Sequence, residues 1–454
     1  MLTAALAAIT LVSGGVLVGP AEADSSKKKP PSNLSMTSGY RKAVTVDAIR
    51  SHQAAFQSFA DNGGTGNRVA TSAANQASID YVVEKAEAAG LDVTLDPFEF
   101  VFNADVTPAV MQRISPNPTT YVDGVDFASM TFSPNGDVTA GVQLPSGDNR
   151  GCEAADWAGF PAGSIALVQR GTPATFPVAC TFAIKAQNAA NAGAVGVIVF
   201  NNVPGTINGT LGGPVSFGVP VLGTSQAIGQ EWSTQVGAGL TARIKVNRVN
   251  ETRTSYNVIA DTPGGNPDNV VVVGAHLDSV SRGPGINDNG SGSAALLAMA
   301  EALEGRAIAN KVRFAWWNAE EFGLLGSAAY VAQLKAEQPA ELADIALNLN
   351  FDMIGSPNYV RFVYDGDNSA FPVGTGVADG PDGSGLIEKV FYEFFGGVGL
   401  ASEQTPFNGR SDYGPFIAEG IPAGGLFTGA EGVKTASQAE LFGGVAGVAY
   451  DSCY

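Results

Sequence analysis

Residues 269–276 (NVVVVGAH), 290–304 (GSGSAALLAMAEALE), 312–318 (VRFAWWN) and 346–355 (ALNLNFDMIG) decide the fold. NVVVVGAH is a near-continuous apolar run, as in a strand buried on both faces. The second stretch has helical spacing, with Asn289 or Ser291 as its N-cap. VRFAWWN reads as the next strand, followed by a helix from Leu324 to about Lys335, and ALNLNFDMIG as a third strand. This alternation predicts an α/β fold of three layers: a mostly parallel sheet with helices on both faces. Such sheets bind ligands at the carboxyl ends of their strands. Here the first strand ends in His276-Leu277-Asp278, the second in Asn318-Ala319-Glu320-Glu321 and the third at Asp352. A glycine-flanked loop, residues 285–290, brings Asp288 to the start of a helix.

His276, Asp288, Glu320, Glu321 and Asp352 are therefore expected on one rim. Four carboxylates packed together repel one another and call for cations. One imidazole among carboxylates suits zinc or a similar first-row metal, and a carboxylate between two ions can bridge them. Asp278 is placed to hold the other nitrogen of the His276 ring. The chain has only one other histidine, His52, and it lies on a predicted N-terminal helix. A surface or helix-packing role is expected for it. No H-E-x-x-H, G-x-S-x-G or G-x-x-x-x-G-K-[ST] motif occurs, so zincin, α/β-hydrolase and P-loop readings have no local support. Asn289-Gly290-Ser291 also reads as a glycosylation acceptor, but its place beside Asp288 argues against that use.

The full chain of 454 residues has room for two or three domains, and 45% apolar residues supply a sizeable core. Its formal net charge of −18 argues against a nucleic-acid partner. Residues 4–18 form an apolar run, followed by Ala21-Glu22-Ala23. Residues 1–23 are thus expected to be a secretory signal, although no Lys or Arg precedes the run; an upstream start would account for that. The run is short for a membrane anchor. Residues 24–45 read as a linker, residues 46–60 and 72–89 as helices, and residues 91–102 as a strand. Residues 110–245 hold short β-like runs, such as 164–169 and 195–200, around an alanine-rich helix, 181–193. That region reads as a small β-rich insert with almost no acid–base chemistry. Cysteines stand at 152, 180 and 453. In an oxidising compartment Cys152 and Cys180, which share one segment, are the expected pair.

The motifs HLDSV (276–280), GPGINDNGSG (283–292), NAEEFGLLGS (318–327), NFDMIGSPN (350–358), GRSDYGPF (409–416) and GIPAGGLFTGAE (420–431) carry a resemblance. They resemble the secreted co-catalytic zinc aminopeptidases of the bacterial aminopeptidase S and yeast aminopeptidase Y type. The resemblance runs from Tyr256 to the end, and residues 151–222 resemble the protease-associated domain often inserted in these enzymes. It implies the zinc exopeptidase fold, with a peptidase domain split into residues 46–109 and 246–454 around the insert. It further implies that His276, Asp288 and Asp352 hold a first zinc, and that Asp288 bridges to a second, also held by Glu321. Glu320 would be the general base acting on the shared water. Arg410 would belong to the peptide-positioning region, Phe427 to the first side-chain pocket, and Tyr454 would steady the oxyanion. The implied substrates are peptides or proteins with free N-termini, cut after a large apolar, leucine-like residue, outside the cell and with no membrane span.

In the family a histidine, the last ligand of the second zinc, follows a Cys-Tyr pair. This chain stops at Cys453-Tyr454. We therefore expect a longer natural C-terminus; failing that, weak occupancy of the second zinc site and low activity. Two rivals are a metallo-carboxypeptidase, which needs basic groups to grip a carboxylate, and a catalytically weak or inactive homologue. The coding DNA downstream of Tyr454 should begin with a histidine codon; an immediate stop codon would defeat the longer-chain expectation.

Overall fold

The computed structural model describes residues 36–374 and 376–452. The chain divides into two compact units. One takes the described residues up to Phe100 and from Arg253 onward; the other is Val101–Thr252.

The first unit is built on an eight-stranded sheet. Its strands are β1 (Asp92–Asp105), β2 (Arg248–Asp261), β3 (Asn266–His276), β4 (Asn310–Trp317), β5 (Ile345–Phe351), β6 (Phe362–Tyr364), β7 (Glu403–Thr405) and β8 (Ala423–Phe427), in the order β1-β2-β4-β3-β5-β8-β6-β7. The four central strands run parallel, while β2 and β6 join them antiparallel. Alternate residues face opposite layers. Val271, Val273 and Ala275 join Val312, Phe314 and Trp316 under the helices Val46–Asn62, Ala73–Ala88, Gly290–Leu303 and Ser384–Gly397. Val270, Val272, Ala315 and Trp317 pack on the other side against Tyr330, Val331 and Leu334 of the helix Leu325–Glu337. The three-layer α/β expectation is borne out.

Helix Gly290–Leu303 is buried along nearly its whole length, so it lies between the sheet and the outer helices. Asn289 is its N-cap, its Oδ1 accepting from the Gly292 N–H at 2.9 Å. A Cβ on Gly292 would stand 2.1 Å from the Phe351 carbonyl oxygen, so only glycine lets the helix start this close to β5. Asn289 is fully buried, which removes it as a glycosylation acceptor.

Two expectations need comment. The described end of the 24–45 segment is not a free linker. It holds a short helix, Ser38–Ala43, whose Tyr40 is buried and donates to the Met299 carbonyl at 3.0 Å. Its few apolar residues find a tertiary partner that local composition does not reveal. Residues 1–23, expected to be a secretory signal, lie outside the described residues.

The second unit has its own eight-stranded sheet. Strands Ile165–Gln169, Gly196–Phe200 and Val221–Thr224 run parallel, with helix Phe182–Asn191 crossing between the first two. Cys152 and Cys180 form a disulfide.

Leu297 is fully buried in the first core. Leu297→Ala should lower unfolding stability by about 2–5 kcal/mol, read by denaturant titration; a loss under 1 kcal/mol would contradict the packing described.

Candidate metal centre

Register brings the rim together. Gly274 of β3 pairs with Asn350 of β5, so two residues on, His276 and Asp352 leave the sheet side by side. His276 is also level with Trp317, the last residue of β4. After β4 the chain turns sharply: Ala319 has φ 55°, Glu320–Phe322 form a single 3₁₀ turn, and Leu324 has φ 60°. Met353, after Asp352, has φ 50°. Such conformations cost about 1–3 kcal/mol each for residues other than glycine and concentrate at functional sites.

His276 Nε2 lies 3.0 Å from Asp288 Oδ1, 3.4 Å from Asp352 Oδ1 and 3.9 Å from Glu320 Oε2. One ligand atom each of His276, Glu320 and Asp352 fits within a 4.8 Å cluster. His276 Nε2, Asp352 Oδ1 and Glu321 Oε1 are buried without an aligned hydrogen-bond partner. Unpartnered buried lone pairs are rare. Nitrogen and carboxylate oxygen donors converging this way suit a zinc ion, so the residues present fit the metal.

The other ring nitrogen departs in part from expectation. His276 Nδ1 lies 3.2 Å from the backbone carbonyl of Asp278 and 3.6 Å from its carboxylate. The Asp278 carboxylate instead accepts from the Glu320 and Glu321 N–H groups at 3.1 and 3.4 Å. Asp278 thus joins the ends of two strands.

Other supporting residues went unseen in the sequence. Ser411 donates to Asp352 Oδ2 at 2.6 Å and accepts from Asn350 Nδ2 at 2.8 Å. Asn289 Nδ2 donates to the Phe351 carbonyl at 2.9 Å, tying the Asp288 loop to the Asp352 strand. Asn75 and Asn318 exchange amide hydrogen bonds of 3.1 and 3.2 Å behind the Glu320 turn. Asp412 is fully buried; its Oδ1 accepts from Ser327 at 2.5 Å while its Oδ2 is unpartnered.

A cavity of about 680 Å³ opens over the cluster. Asp288, Glu320, Glu321, Asp352, Arg410 and Phe427 all line it. Arg410 is the only cationic side chain among the described lining residues, and it lies 3.6 Å from Glu431. Tyr454 lies outside the described residues. His52 is buried, its ring against Tyr81 Oη at 2.9 Å and Glu301 at 3.4 Å, which makes it a helix-packing residue.

The electrostatics follow from crowding. Burial pulls the His276 pKa down, but the Asp352 and Glu320 carboxylates outweigh it and hold the ring well above its usual 6.5. Burial pushes Glu321 up to about 9, and the neighbouring Asp288 reinforces this. Burial likewise raises Glu320 well above the carboxylate range and lifts Asp412 to about 7. Asp352 goes the other way: burial would raise it, yet His276 and the Ser411 hydroxyl hold it low.

The peptidase family M28 profile matches residues 257–454, and a PA domain profile matches residues 135–232. An aminopeptidase of Pseudomonas aeruginosa strain UCBPP-PA14 is 48% identical over 401 residues, covering 86% of this chain and 72% of the relative. Leucine aminopeptidase 2 of Arthroderma otae is 40% identical over 451 residues, 98% of this chain and 85% of the relative. Among solved structures, an aminopeptidase from Aneurinibacillus sp. strain AM-1 superposes with a TM-score of 0.64 at 28% identity, covering 86% of each chain. A zinc aminopeptidase from Bacillus subtilis gives a TM-score of 0.58 at 26% identity, over 84% of this chain and 85% of that one. The fold and the site define a metal-dependent peptide hydrolase. The chain belongs to peptidase family M28 and is a zinc-dependent aminopeptidase.

Two outcomes are expected. Asp278→Asn should weaken zinc binding by roughly 10–100-fold, measured by chelator competition, because the strand ends it joins come loose; unchanged affinity would refute that role. The second concerns pH. Between 4.5 and about 9 the folded, metal-free chain keeps a proton on Glu321 that the unfolded chain has released, so stability falls as pH rises. Asp412 acts in the same sense between 3.8 and about 7. His276, raised in the fold, contributes stability below 6.5 that is also lost as pH rises. The Tm of chelator-treated protein should thus drop from about pH 5 to about pH 9, with zinc restoring most at the alkaline end. A Tm rising over that range would exclude this account.

Proposed function

We propose that the protein is a secreted enzyme that releases single residues from the free N-termini of peptides, preferring large apolar, leucine-like side chains, and that it uses two zinc ions. The observation that carries this reading is the buried His276 ring nitrogen, without an aligned hydrogen-bond partner and 3.0 and 3.4 Å from Asp288 and Asp352, which themselves line a cavity with five acidic side chains and one cationic one among the described residues. His276, Asp288 and Asp352 would hold one ion; Asp288, shared, and Glu321 would hold the second. Bound zinc supplies Lewis-acid polarisation of the scissile carbonyl and lowers the pKa of the hydrolytic water towards neutrality.

The side chains do the rest. Glu320, buried beside His276, accepts a proton at its carboxylate as the carbonyl is attacked and returns it to the leaving amine. The substrate's ammonium sits among the acidic groups of the cavity. Arg410, at the rim, orients the peptide, and Phe427 receives the first side chain. Tyr454 is assigned to the oxyanion. The name leucine aminopeptidase 2, borne by a relative matching nearly the whole chain, supports the apolar preference. The disulfide between Cys152 and Cys180 and the apolar run at residues 4–18 support export. The same reading takes residues 46–109 and 246–454 as a split peptidase domain, 110–245 as an accessory insert and 1–23 as a removed signal. No described helix is long and apolar enough to cross a membrane.

A carboxypeptidase reading fares worse, because among the described lining residues Arg410 is the one cation that could meet a substrate carboxylate, and it already faces Glu431.

Leucyl-anilide should be cleaved, and a chelator should abolish the cleavage. The N-acetylated anilide should resist; its hydrolysis would refute an enzyme that needs a free amine. Glu320→Gln should lower kcat by roughly 10²–10⁴-fold with zinc still bound. Metal titration should find two ions per chain; one tight ion with low activity would favour the weakened homologue.

A further inference from the structure

The ligand-bearing loop has a second anchor that the reaction does not use. His276 and Asp288 close a loop, residues 277–287, and their ligand atoms meet 3.0 Å apart. Residues 277–285 belong to no helix or strand. Arg68 lies against them, completely buried. Its Nε donates to the Pro284 carbonyl at 2.9 Å, its Nη2 to the Gly285 carbonyl at 2.8 Å, and its Nη1 to the Leu277 carbonyl. Its backbone N–H donates to Ser279 Oγ at 2.9 Å, and its carbonyl accepts from the Ser279 N–H at 3.2 Å. Asn67 adds a bond to the Ser281 carbonyl at 3.1 Å. The guanidinium also lies over the Phe56 ring, 5.2 Å from its centre.

A buried cation normally takes a carboxylate partner. Arg68 forms no ion pair among the described residues, and its guanidinium donates to carbonyls alone. Its balancing charges lie further off: Asp278, Asp288 and Glu321. The guanidinium fork therefore reaches both ends of one turn, residues 277 and 284–285, while its fixed charge stands behind the carboxylates. A lysine could not span those acceptors, having one nitrogen in place of a planar fork.

We propose that Arg68 is a positioning residue, a staple that holds loop 277–285 so that His276 and Asp288 present one converged pair of metal-binding atoms. This rests on reading those two residues as ligands. Arg68 lies outside the residues that line the substrate cavity, so its removal acts on metal grip and kcat rather than on KM.

The test uses the full chain with Arg68→Gln, Arg68→Lys and Ser279→Ala. In metal-free protein, Arg68→Gln should lose hydrogen-exchange protection across residues 277–290 while the core helices keep theirs. Zinc affinity by chelator competition should weaken by roughly 10–100-fold, and kcat should fall with KM nearly unchanged. Arg68→Lys keeps the charge and should still show most of the loss. Ser279→Ala, a milder change, should show the same pattern in smaller measure and serves should Arg68→Gln not fold. Wild-type exchange and zinc affinity in Arg68→Lys would overturn the staple, because charge alone would then suffice. So would a lowered Tm with unchanged loop exchange and zinc affinity, the mark of a merely structural arginine. If the wild type took up no zinc, the ligand reading would fall, and the exchange data would still decide whether Arg68 holds the loop.

Discussion

Mutual repulsion among carboxylates is the constraint on which the rest of the unit turns. Asp288, Glu320 and Asp352 all lie within 4 Å of one imidazole nitrogen. Burial strengthens that repulsion, since charges interact more strongly away from water. The metal-free chain relieves it by holding protons, as the raised Glu320 and Glu321 show. A divalent cation relieves it better, because it satisfies the lone pairs that protons leave unpaired. The surrounding polar side chains make sense in this light. Asn289, Ser411 and Asp278 each tie one of these acid-bearing segments to a neighbour, so the chain cannot escape the repulsion by spreading its strand ends.

Backbone conformation adds to the same tension. Ala319, Leu324 and Met353 adopt left-handed φ values around the acidic turn and after Asp352. None is glycine, so packing must hold each one in place. The Asn75–Asn318 pair shows how: two amides from distant parts of the chain lock the residue just before Ala319. The turn then aims Glu320 and Glu321 over the His276 strand rather than out to solvent.

What the sequence disclosed follows from this. The parallel core was legible because buried strands read as apolar runs and helices as amphipathic ones. The candidate ligands His276, Glu320, Glu321 and Asp352 were legible because each closes or soon follows such a run, and Asp288 because a glycine-flanked loop brings it to a helix start. The supports were not. Ser411, Asn75 and Arg68 act across separations of 59, 243 and over 200 residues, and no local pattern marks a partner so remote. Asp278 was placed near the right ring, but its principal hydrogen bonds go to the backbone of residues 320 and 321, a tertiary detail that spacing cannot carry. The helix Ser38–Ala43 was hidden by its polar, lysine-rich approach, although Tyr40 ties it to Met299 and Arg41 lies over the Phe394 ring.

The two histidines make the physical point most directly. Both are buried, and both face a carboxylate. His52 has one acid and one phenol, so its ring nitrogens both find partners and burial lowers its pKa. His276 has several acids and leaves one nitrogen without a hydrogen bond. The difference lies in how many opposite charges converge, not in residue type or burial. Five acids among the described residues lining the cavity face one cation, Arg410, and it already lies near Glu431. No basic side chain of that lining is left over to grip a carboxylate, which disfavours a substrate presented by its C-terminus.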